Sequence, residues 1–589
     1  MHVVESKNQA KKLISTALIF FFIFVIFQGG VFKSVKAALV PVKIEAESAK
    51  LTSGAVFVRK YKNFTGAGYV ALPAKKPLAK VTFTTNAEKI GNYDVSVRYS
   101  NGNKVAKKLA IYKNDKYFKT ITFAKTGSFS AWKTLVCTLR LKSGTNTIAF
   151  KSKDNTSGFI DYISLIPVEM YSLEVNFETK YQTIEGFGGF GGNDSSSTFY
   201  NQKYVDDTYD DLGATIYRGE VATDFQSNND GSDVNTINAS SFNQNGMFKK
   251  WKDYFLALQA KGPCKIFLTP WTPPAWMKTN NDLENGGSLK PEYYQHFAKY
   301  CAAYVKLMEA AGVHIYAFNI QNEPNFVEPY VSCVYTFEEY AAVTSIVAAR
   351  FKKEGLTVKM LGPEDVSDSN RISQYVFAFD YAGKMNDLGV IGVHGYSNDG
   401  VHPSGAEAFW STTYSLAKEY NKPVWMTETS GFTNQWDSVL NLAATMQTAL
   451  SVGRLNAWVW WRLSDNLYGR NETEGLMKNM VATPKYYVSK NFYRYIRPGS
   501  VRYACSSPYA DLKVTAYKNP TDMKITILIV NEANVSRTIS IGAINGGTIP
   551  YQFNVFRTSA TENCVSSGSA NSSSLVIPAS CVTTLQANY

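Results

Sequence analysis

Apolar and polar residues alternate in short runs from about Lys43 to Pro167. The runs are VRKYKNFTGAGYVAL, AKVTFTTN, NYDVSVRYSNGN, KKLAIYKNDKYFKTITF, WKTLVCTLRL, TNTIAFKS and GFIDYISLIP, with Gly, Asn and Asp between them. A period of two puts successive side chains on opposite faces of a strand, and turn residues at this spacing join antiparallel neighbours. Residues 38–168 are therefore predicted to form an antiparallel, jelly-roll-like β-sandwich. No helical segment of useful length interrupts it.

From about Tyr171 to Pro498 the period changes. Strand-like segments EGFGGF (185–190), ATIYRG (214–219), CKIFLTP (264–270), IYAFNIQ (315–321), VKMLGP (358–363), VIGVHGY (390–396), PVWMTE (423–428) and NAWVWW (456–461) alternate with helical stretches. PEYYQHFAKYCAAYVKLMEAAG and FEEYAAVTSIVAARFKKEG are two of these helices. Eight strands with helices between them predict a (β/α)8 TIM barrel for 169–498. The first strand poses a competing reading, because Gly186, Gly188 and Gly191 fit the spacing of a dinucleotide-binding turn. A dinucleotide fold closes its nucleotide half within about six strands. Here EGFGGF is the first of eight, so the glycines are expected to keep the barrel floor and first loop slim. Short alternating strands return in 499–589, predicting a C-terminal β-sandwich side domain. SLEVNFETKYQTIEG has the same character, so 169–183 is expected to pair into that side sheet.

The amino end follows neither pattern. Lys7, Lys11 and Lys12 precede an apolar run from Leu13 to Phe27, and Val35-Lys36-Ala37 offers small residues for cleavage. Residues 1–37 are predicted to be a signal peptide, with an uncleaved anchor as the alternative. The expected mature product is secreted, extracellular, monomeric and free of membrane contact. The formal charge of +13 falls to +9 after residue 37 and is spread along the chain, with no Lys/Arg run marking a nucleic-acid groove. Seven cysteines lack C-x-x-C spacing; export would permit disulfides, and Cys564 with Cys581 is the first pair to test. Five scattered histidines argue against a zinc site. Aromatic residues make up 14% of the chain, which suits packing against sugar faces and equally suits cores.

Chemistry in such a barrel sits where strands end. The fourth strand ends FNIQNEPN, placing Asn322 and Glu323 at the rim, and the seventh ends WMTETSG, placing Glu428 there. Three βα units separate the glutamates, putting them across one mouth from each other. Two carboxylates flanking a cleft suit acetal hydrolysis, one protonating the leaving oxygen and the other attacking the anomeric carbon. A metal site, or one functional acid beside a bystander, would use the same residue types. Glu185, Glu220, Glu364 and Asp465 also lie near strand ends.

The longer phrases narrow this. EGFGGF, LTPWTPPAWMK, YAFNIQNEPNF, GVHGYS, VWMTETSG, AWVWW and FYRYIRPGSVRY, in order from about Tyr181 to Tyr503, resemble glycoside hydrolase family 30, nearest its bacterial xylanase branch. The resemblance implies a retaining clan A enzyme built as a barrel with a β-sandwich and needing no catalytic cofactor. It implies Glu323 as general acid/base and Glu428 as nucleophile. Repulsion from an ionised Glu428 is expected to raise the pKa of Glu323. Asn322 is expected to bond the sugar 2-hydroxyl, Arg218 to hold Glu428 ionised, and Tyr396 to orient it. Trp271, Trp276 and Trp461 are expected to floor the subsite, and Tyr468 and Arg470 to line its specificity loop. IEAES and FIDYISL resemble carbohydrate-binding modules of families 35 and 6, implying a structural calcium on Glu45, Glu47 and Asp161. Surface acids on edge strands are the plain alternative.

Within family 30 the substrates range from ceramide glucosides to xylan and β-1,6-linked glycans. Glucuronate-dependent xylanases carry an Arg pair soon after the eighth strand, but this chain reads WWRLSDNLYGRNE, with Ser464 and Asp465 near that place. Xylan without a strict glucuronate requirement is the expected substrate, unless Arg462 or Arg470 supplies the clamp. A transglycosylase and a non-catalytic polysaccharide-binding protein remain as other classes.

Overall fold

The computed structural model describes residues 41–73, 78–88, 91–153, 158–167, 171–193, 198–366, 369–396, 403–465 and 473–589. The predicted signal segment, Tyr468 and Arg470 lie outside these described residues. Two compact units are present, Met1–Glu169 and Met170–Tyr589.

In the first unit two antiparallel sheets share a core. One follows the order Val56–Val58, Tyr69–Leu72, Gly158–Pro167, Gly91–Ser100, Lys133–Leu141, with Val42–Glu45 also on Gly158–Pro167. The other runs Lys50–Thr52, Lys80–Ala87, Gly144–Ser152, Lys107–Lys113, Lys116–Phe123. Val95 and Val97 of the first and Val81, Phe83, Ile148 and Phe150 of the second are fully buried. The period-two reading therefore describes this unit correctly.

The second unit contains a closed eight-stranded parallel barrel. Its strands are β1 (Gly186–Phe190), β2 (Ile216–Glu220), β3 (Lys265–Thr269), β4 (Ala317–Phe318), β5 (Lys359–Val366), β6 (Val390–His394), β7 (Val424–Glu428) and β8 (Ala457–Trp460). Helices that follow β2 to β8 include α1 (Met247–Lys261), α2 (Tyr294–Ala310), α3 (Phe337–Lys353), α4 (Ser369–Tyr381), α5 (Pro403–Glu419), α6 (Trp436–Ser451) and α7 (Pro484–Tyr493). α3 opens with a capping box, in which Thr336 accepts from the Glu339 N–H at 3.2 Å and Glu339 accepts from the Thr336 N–H at 2.9 Å. Inside the barrel Ile216, Phe267, Ala317, Leu361, Val390, Trp425, Ala457 and Val459 form a packed layer. At the floor, Glu185 accepts from Lys265 at 2.9 Å and from the Tyr316 hydroxyl at 2.7 Å. The layer fills the barrel, so the chemistry is confined to the opposite mouth.

One nine-stranded sheet joins both flanks of the barrel. Tyr171–Thr183 pairs antiparallel with Val501–Ser506 and parallel with Arg537–Ile544, as the flanking pattern predicts. The C-terminal sheet does not separate at residue 499 but belongs to the same compact unit as the barrel. The reason lies in Lys524–Asn531, whose Ile525, Ile527 and Ile529 enter the sheet's own core while Leu528 and Val530 enter the barrel's. A strand buried on both faces reads as a continuous apolar run, as ITILIV does.

All seven cysteines are free, so the Cys564–Cys581 pair singled out for testing is not bridged. Glu562–Asn571 and Cys581–Asn588 lie on either side of Gln552–Ser559 in the sheet. Two strand spacings amount to about 9.6 Å, beyond the roughly 7 Å that a disulfide spans.

The glycines of β1 have the packing role expected of them. A Cβ on Gly188 would stand 1.6 Å from the carbonyl oxygen of Ile216 on β2, and backbone there cannot yield. Gly188→Ala is expected to destabilise the barrel unit by about 3 kcal/mol through overpacking. Urea unfolding checks this, and a midpoint within error of wild type would refute it.

Candidate active site

Barrel geometry, more than local sequence, assembles the mouth. Ile216 and Arg218 are two residues apart on β2, and Val390 and His394 four apart on β6, so each pair shares an inward face. The lower residue joins the apolar layer, while the upper one carries charge above it. Arg218, Glu364 and His394 are fully buried, and Glu323 and Glu428 are nearly so.

The Arg218 guanidinium organises this cluster. It bonds Glu428 Oε2 through Nη1, and through Nη2 reaches Asn322 Oδ1 at 2.7 Å and Glu364 Oε2 at 3.1 Å. The Tyr396 hydroxyl donates to the other Glu428 oxygen. Glu364 Oε2 also accepts from Thr269 and from Asn319 Nδ2, each at 2.7 Å. Tyr340 in turn donates to Asn319 Oδ1 at 2.6 Å. Across the mouth His394 Nδ1 lies 2.8 Å from Glu323 Oε1, and its Nε2 stands 3.9 Å from both Glu364 and Glu428. One carboxylate oxygen each from Glu323 and Glu428 and a ring nitrogen of His394 lie within 4.8 Å of one another.

These surroundings treat the two catalytic candidates differently. Glu428 accepts from a guanidinium at one oxygen and a hydroxyl at the other. Burial raises Glu323 and the Glu428 charge adds to this, while His394 and Arg218 pull it back, leaving it at about 6. The sequence-based expectation has the direction right, but desolvation is the larger cause and repulsion the smaller. Burial pulls His394 down, yet Glu428, Glu323 and Glu364 outweigh it and lift the ring to about 9. Burial would raise Glu364, but Arg218 and His394 hold it down at about 2. A cation placed among Glu323, His394 and Glu428 would face the guanidinium already bonded to Glu428. The arrangement therefore suits proton transfer and nucleophilic attack better than metal binding.

Among the aromatic candidates, Trp271 packs over Arg218 at 4.7 Å and against Trp461 at 5.7 Å, and Phe190 backs Trp461 at 4.6 Å. Those two tryptophans belong to the cluster. Trp276 packs instead against Tyr293 at 5.1 Å and His296 at 6.1 Å, at the start of α2. Glu364 and His394 are the residues to which sequence reading assigned no role. Glu364 stands near the end of β5 in the phrase GPED, one of several acids near strand ends, and nothing local distinguishes it from the others. Both Glu323 and Glu364 take left-handed backbone, at φ 47° and 57°, a conformation that costs energy and gathers at functional sites.

In the first unit the three acids converge on Thr65–Ala67. Asp161 is bonded by Arg98 and accepts from Thr65 N–H at 3.0 Å. Glu45 pairs with Lys43 at 2.5 Å, and Glu47 Oε1 accepts from Ala67 N–H at 2.5 Å. Glu47 Oε2 is buried without a hydrogen-bond partner. Trp132 donates to the Lys62 carbonyl at 3.0 Å and packs on Tyr69, which gives it a structural place.

Comparison with known proteins agrees with the barrel and its strand ends. A sequence profile of the glycosyl hydrolase family 30 TIM-barrel domain matches residues 199–339, which span β2 to β4 and include Arg218, Trp271, Asn322 and Glu323. Over that stretch the barrel is similar to family 30 glycosyl hydrolase domains. Glucuronoxylanase XynC of Bacillus subtilis is 25% identical over 375 residues, covering 61% of this chain and 78% of the relative. The family 30 subfamily 8 xylanase Xyn30A of Clostridium acetobutylicum superposes with a TM-score of 0.60 at 25% identity, over 71% of this chain and all of that one. An endo-1,6-β-D-glucanase of Trichoderma harzianum is 27% identical over 148 residues, covering 23% of this chain and 29% of the relative. The chain is thus a glycosidase similar to family 30 enzymes, and its relatives differ in linkage specificity.

The charged cluster makes stability depend on pH. The folded-state pKa of His394, about 9, lies above its ordinary 6.5. Protonated His394 therefore adds stability that is complete below about pH 6.5 and is lost as pH rises through about 9. Thermal unfolding from pH 6 to 10 is expected to show a midpoint falling across that window, and His394→Gln is expected to flatten the fall. An equally steep fall in the variant would show that another group carries it.

Proposed function

We propose that this glycosidase is a retaining endo-β-glycanase of plant cell-wall polysaccharide, with Glu323 as acid/base and Glu428 as nucleophile. The observation that carries the reading is the placement of these carboxylates within 4.8 Å of each other in opposite electrostatic surroundings. Retaining enzymes hold the pair about 5–5.5 Å apart, and inverting ones leave about 6.5–9.5 Å for a water. Glu323 gives its proton to the glycosidic oxygen as the bond to the anomeric carbon breaks. Glu428 attacks that carbon and forms a glycosyl ester. Glu323, now a base, takes a proton from water, which attacks the same carbon and releases Glu428. Arg218 and Tyr396 stabilise the departing Glu428 carboxylate. With its Oδ1 held by Arg218, Asn322 directs its amide Nδ2 to the sugar 2-hydroxyl.

Xylan is the first substrate we propose and β-1,6-linked glycans the second. A strict glucuronate requirement is not part of the reading, because Arg462 pairs with Glu474 at 3.2 Å and packs on Trp461 at 5.0 Å. An arginine so engaged is poorly placed to clamp an acid group. For the N-terminal unit we propose a polysaccharide-binding role, and for the chain as a whole export. The orphaned Glu47 oxygen and the convergence of hard oxygen donors fit a calcium ion held by Glu45, Glu47 and Asp161. Arg98 and Lys43 would have to yield to it.

Glu428→Gln is expected to lower kcat by at least about 10³-fold, a deficit of about 4 kcal/mol in transition-state stabilisation, while the protein stays folded. Glu323→Gln is expected to spare the first step on aryl glycosides with good leaving groups, since these need little protonation. For the wild type, kcat/KM on unactivated oligosaccharides is expected to fall above about pH 6, where Glu323 loses its proton. NMR of the first product assigns its anomer, and an inverted one would refute the mechanism. The substrate is read by digesting xylan, glucuronoxylan, β-1,6-glucan and β-1,6-galactan and sizing the products. Added acceptor separates hydrolysis from transfer, and inactivity on all four would favour a binding protein. The calcium claim predicts that chelator lowers the Tm of the N-terminal unit, and an unchanged Tm would remove it.

A further inference from the structure

The chain leaving β4 stays at the mouth. Phe326 N–H donates to the Glu323 carbonyl at 3.0 Å, closing a turn around Pro324 and Asn325. The segment beyond is stitched to the loop that follows β3. Asn285 N–H donates to the Glu328 carbonyl at 2.9 Å, Ser332 N–H to that of Leu283 at 3.1 Å, and Val334 N–H to that of Gly287 at 2.9 Å. Lys278, fully buried, adds its ammonium to the carbonyls of Ser332 at 2.6 Å and Leu283 at 3.1 Å. Ser332 Oγ accepts from the N–H groups of Gly286 at 2.9 Å and Glu328 at 3.1 Å. A loop pinned at so many backbone points presents its side chains in fixed positions.

Those side chains fall into two kinds. Phe326, Val327 and Tyr330 are about half exposed or more, whereas Glu328 is only 8% exposed. A carboxylate is seldom buried this deeply on a surface loop. Burial raises the pKa of Glu328, and the Glu428 charge, acting from across the site, raises it further. Neither Glu328 nor Tyr330 has a part in the hydrolytic steps described above.

In a retaining site the acid/base stands beside the leaving group, so a loop that begins at Glu323 borders the leaving-group side of the cleft. We infer that Glu328 and Tyr330 form the subsite for the first sugar on that side and select a neutral sugar there. Tyr330 supplies an apolar ring face for the pyranose, as exposed aromatics do for amphipathic ligands. Glu328 accepts charge-assisted hydrogen bonds from the sugar hydroxyls, and its charge repels a substituent carrying a carboxylate. The inference rests on the proposed role of Glu323.

Wild type, Glu328→Gln and Tyr330→Ala are compared on linear xylohexaose and on 4-nitrophenyl β-xylobioside, with the matching β-1,6-gluco-oligosaccharide and aryl glycoside in parallel. The aryl leaving group fills that side of the cleft without sugar hydroxyls. Each variant is expected to lose at least tenfold more kcat/KM on the oligosaccharide than on the aryl glycoside. Glu328→Gln is further expected to gain, relative to wild type, on oligosaccharides whose leaving-group sugar bears a uronic acid. Equal losses on both substrates, or no loss on the oligosaccharide in a variant of wild-type Tm, would overturn the inference. A wild type that cleaves neither substrate class, or a Glu428→Gln variant as active as wild type, would overturn the catalytic reading instead.

Discussion

The Arg218 guanidinium is the interaction on which the mouth of the barrel depends. From β2 it reaches Glu428 on β7, Glu364 on β5 and Asn322 just beyond β4, so one side chain ties four parts of the ring together. Burying a cation this completely costs several kcal/mol of hydration, and only well-placed partners offset it. The charges balance when Glu323 carries a proton. Arg218 and protonated His394 then face ionised Glu364 and Glu428. An acid kept neutral at the operating pH is what the proposed protonation step requires, so charge balance and chemistry ask for the same state.

That balance explains why two glutamates at equivalent strand ends behave differently. Glu428 is gripped at both oxygens by donors, which suits a group that must remain ionised and later depart. Glu323 sits in low-dielectric surroundings that favour retention of its proton, against the pull of His394 at one oxygen. Glu364 fixes Arg218 through Oε2, which also accepts from Thr269 and Asn319, while its Oε1 is buried without a hydrogen-bond partner. Left-handed backbone at Glu323 and Glu364 costs on the order of 1–3 kcal/mol each. The Glu323 N–H bond to the Glu364 carbonyl, at 3.1 Å, locks the two strained residues to each other.

Rigidity at the mouth is supplied from outside it. The strand Lys524–Asn531 buries one face in the side sheet and the other against the barrel, and Gln447 of α6 donates to the Leu528 carbonyl at 3.0 Å. Asn491 of α7 donates to Thr584 at 2.9 Å. The side sheet is thus part of the scaffold that holds β7 and β8, and both chain flanks contribute to it. The N-terminal unit is built round a core of its own.

The sequence by itself determined the layers. Period-two alternation before residue 168, the strand–helix rhythm that follows and the apolar run ITILIV all state locally which faces are buried, because burial of a face is written in every second or fourth residue. It also placed Asn322, Glu323 and Glu428 at strand ends, and the motifs around them made these residues identifiable. Tertiary structure decided what local pattern does not encode. Glu364 and His394 look like any acid or histidine near a strand end until barrel closure brings four strands to Arg218. Trp276 carries the same motif credentials as Trp271, yet the path of its loop sends it toward Tyr293 and His296. Cys564 and Cys581 are close in sequence, but an intervening strand keeps them apart. In each case the deciding quantity is a distance between residues far apart in the chain or held apart by a neighbour, and that distance is set only when the sheet closes.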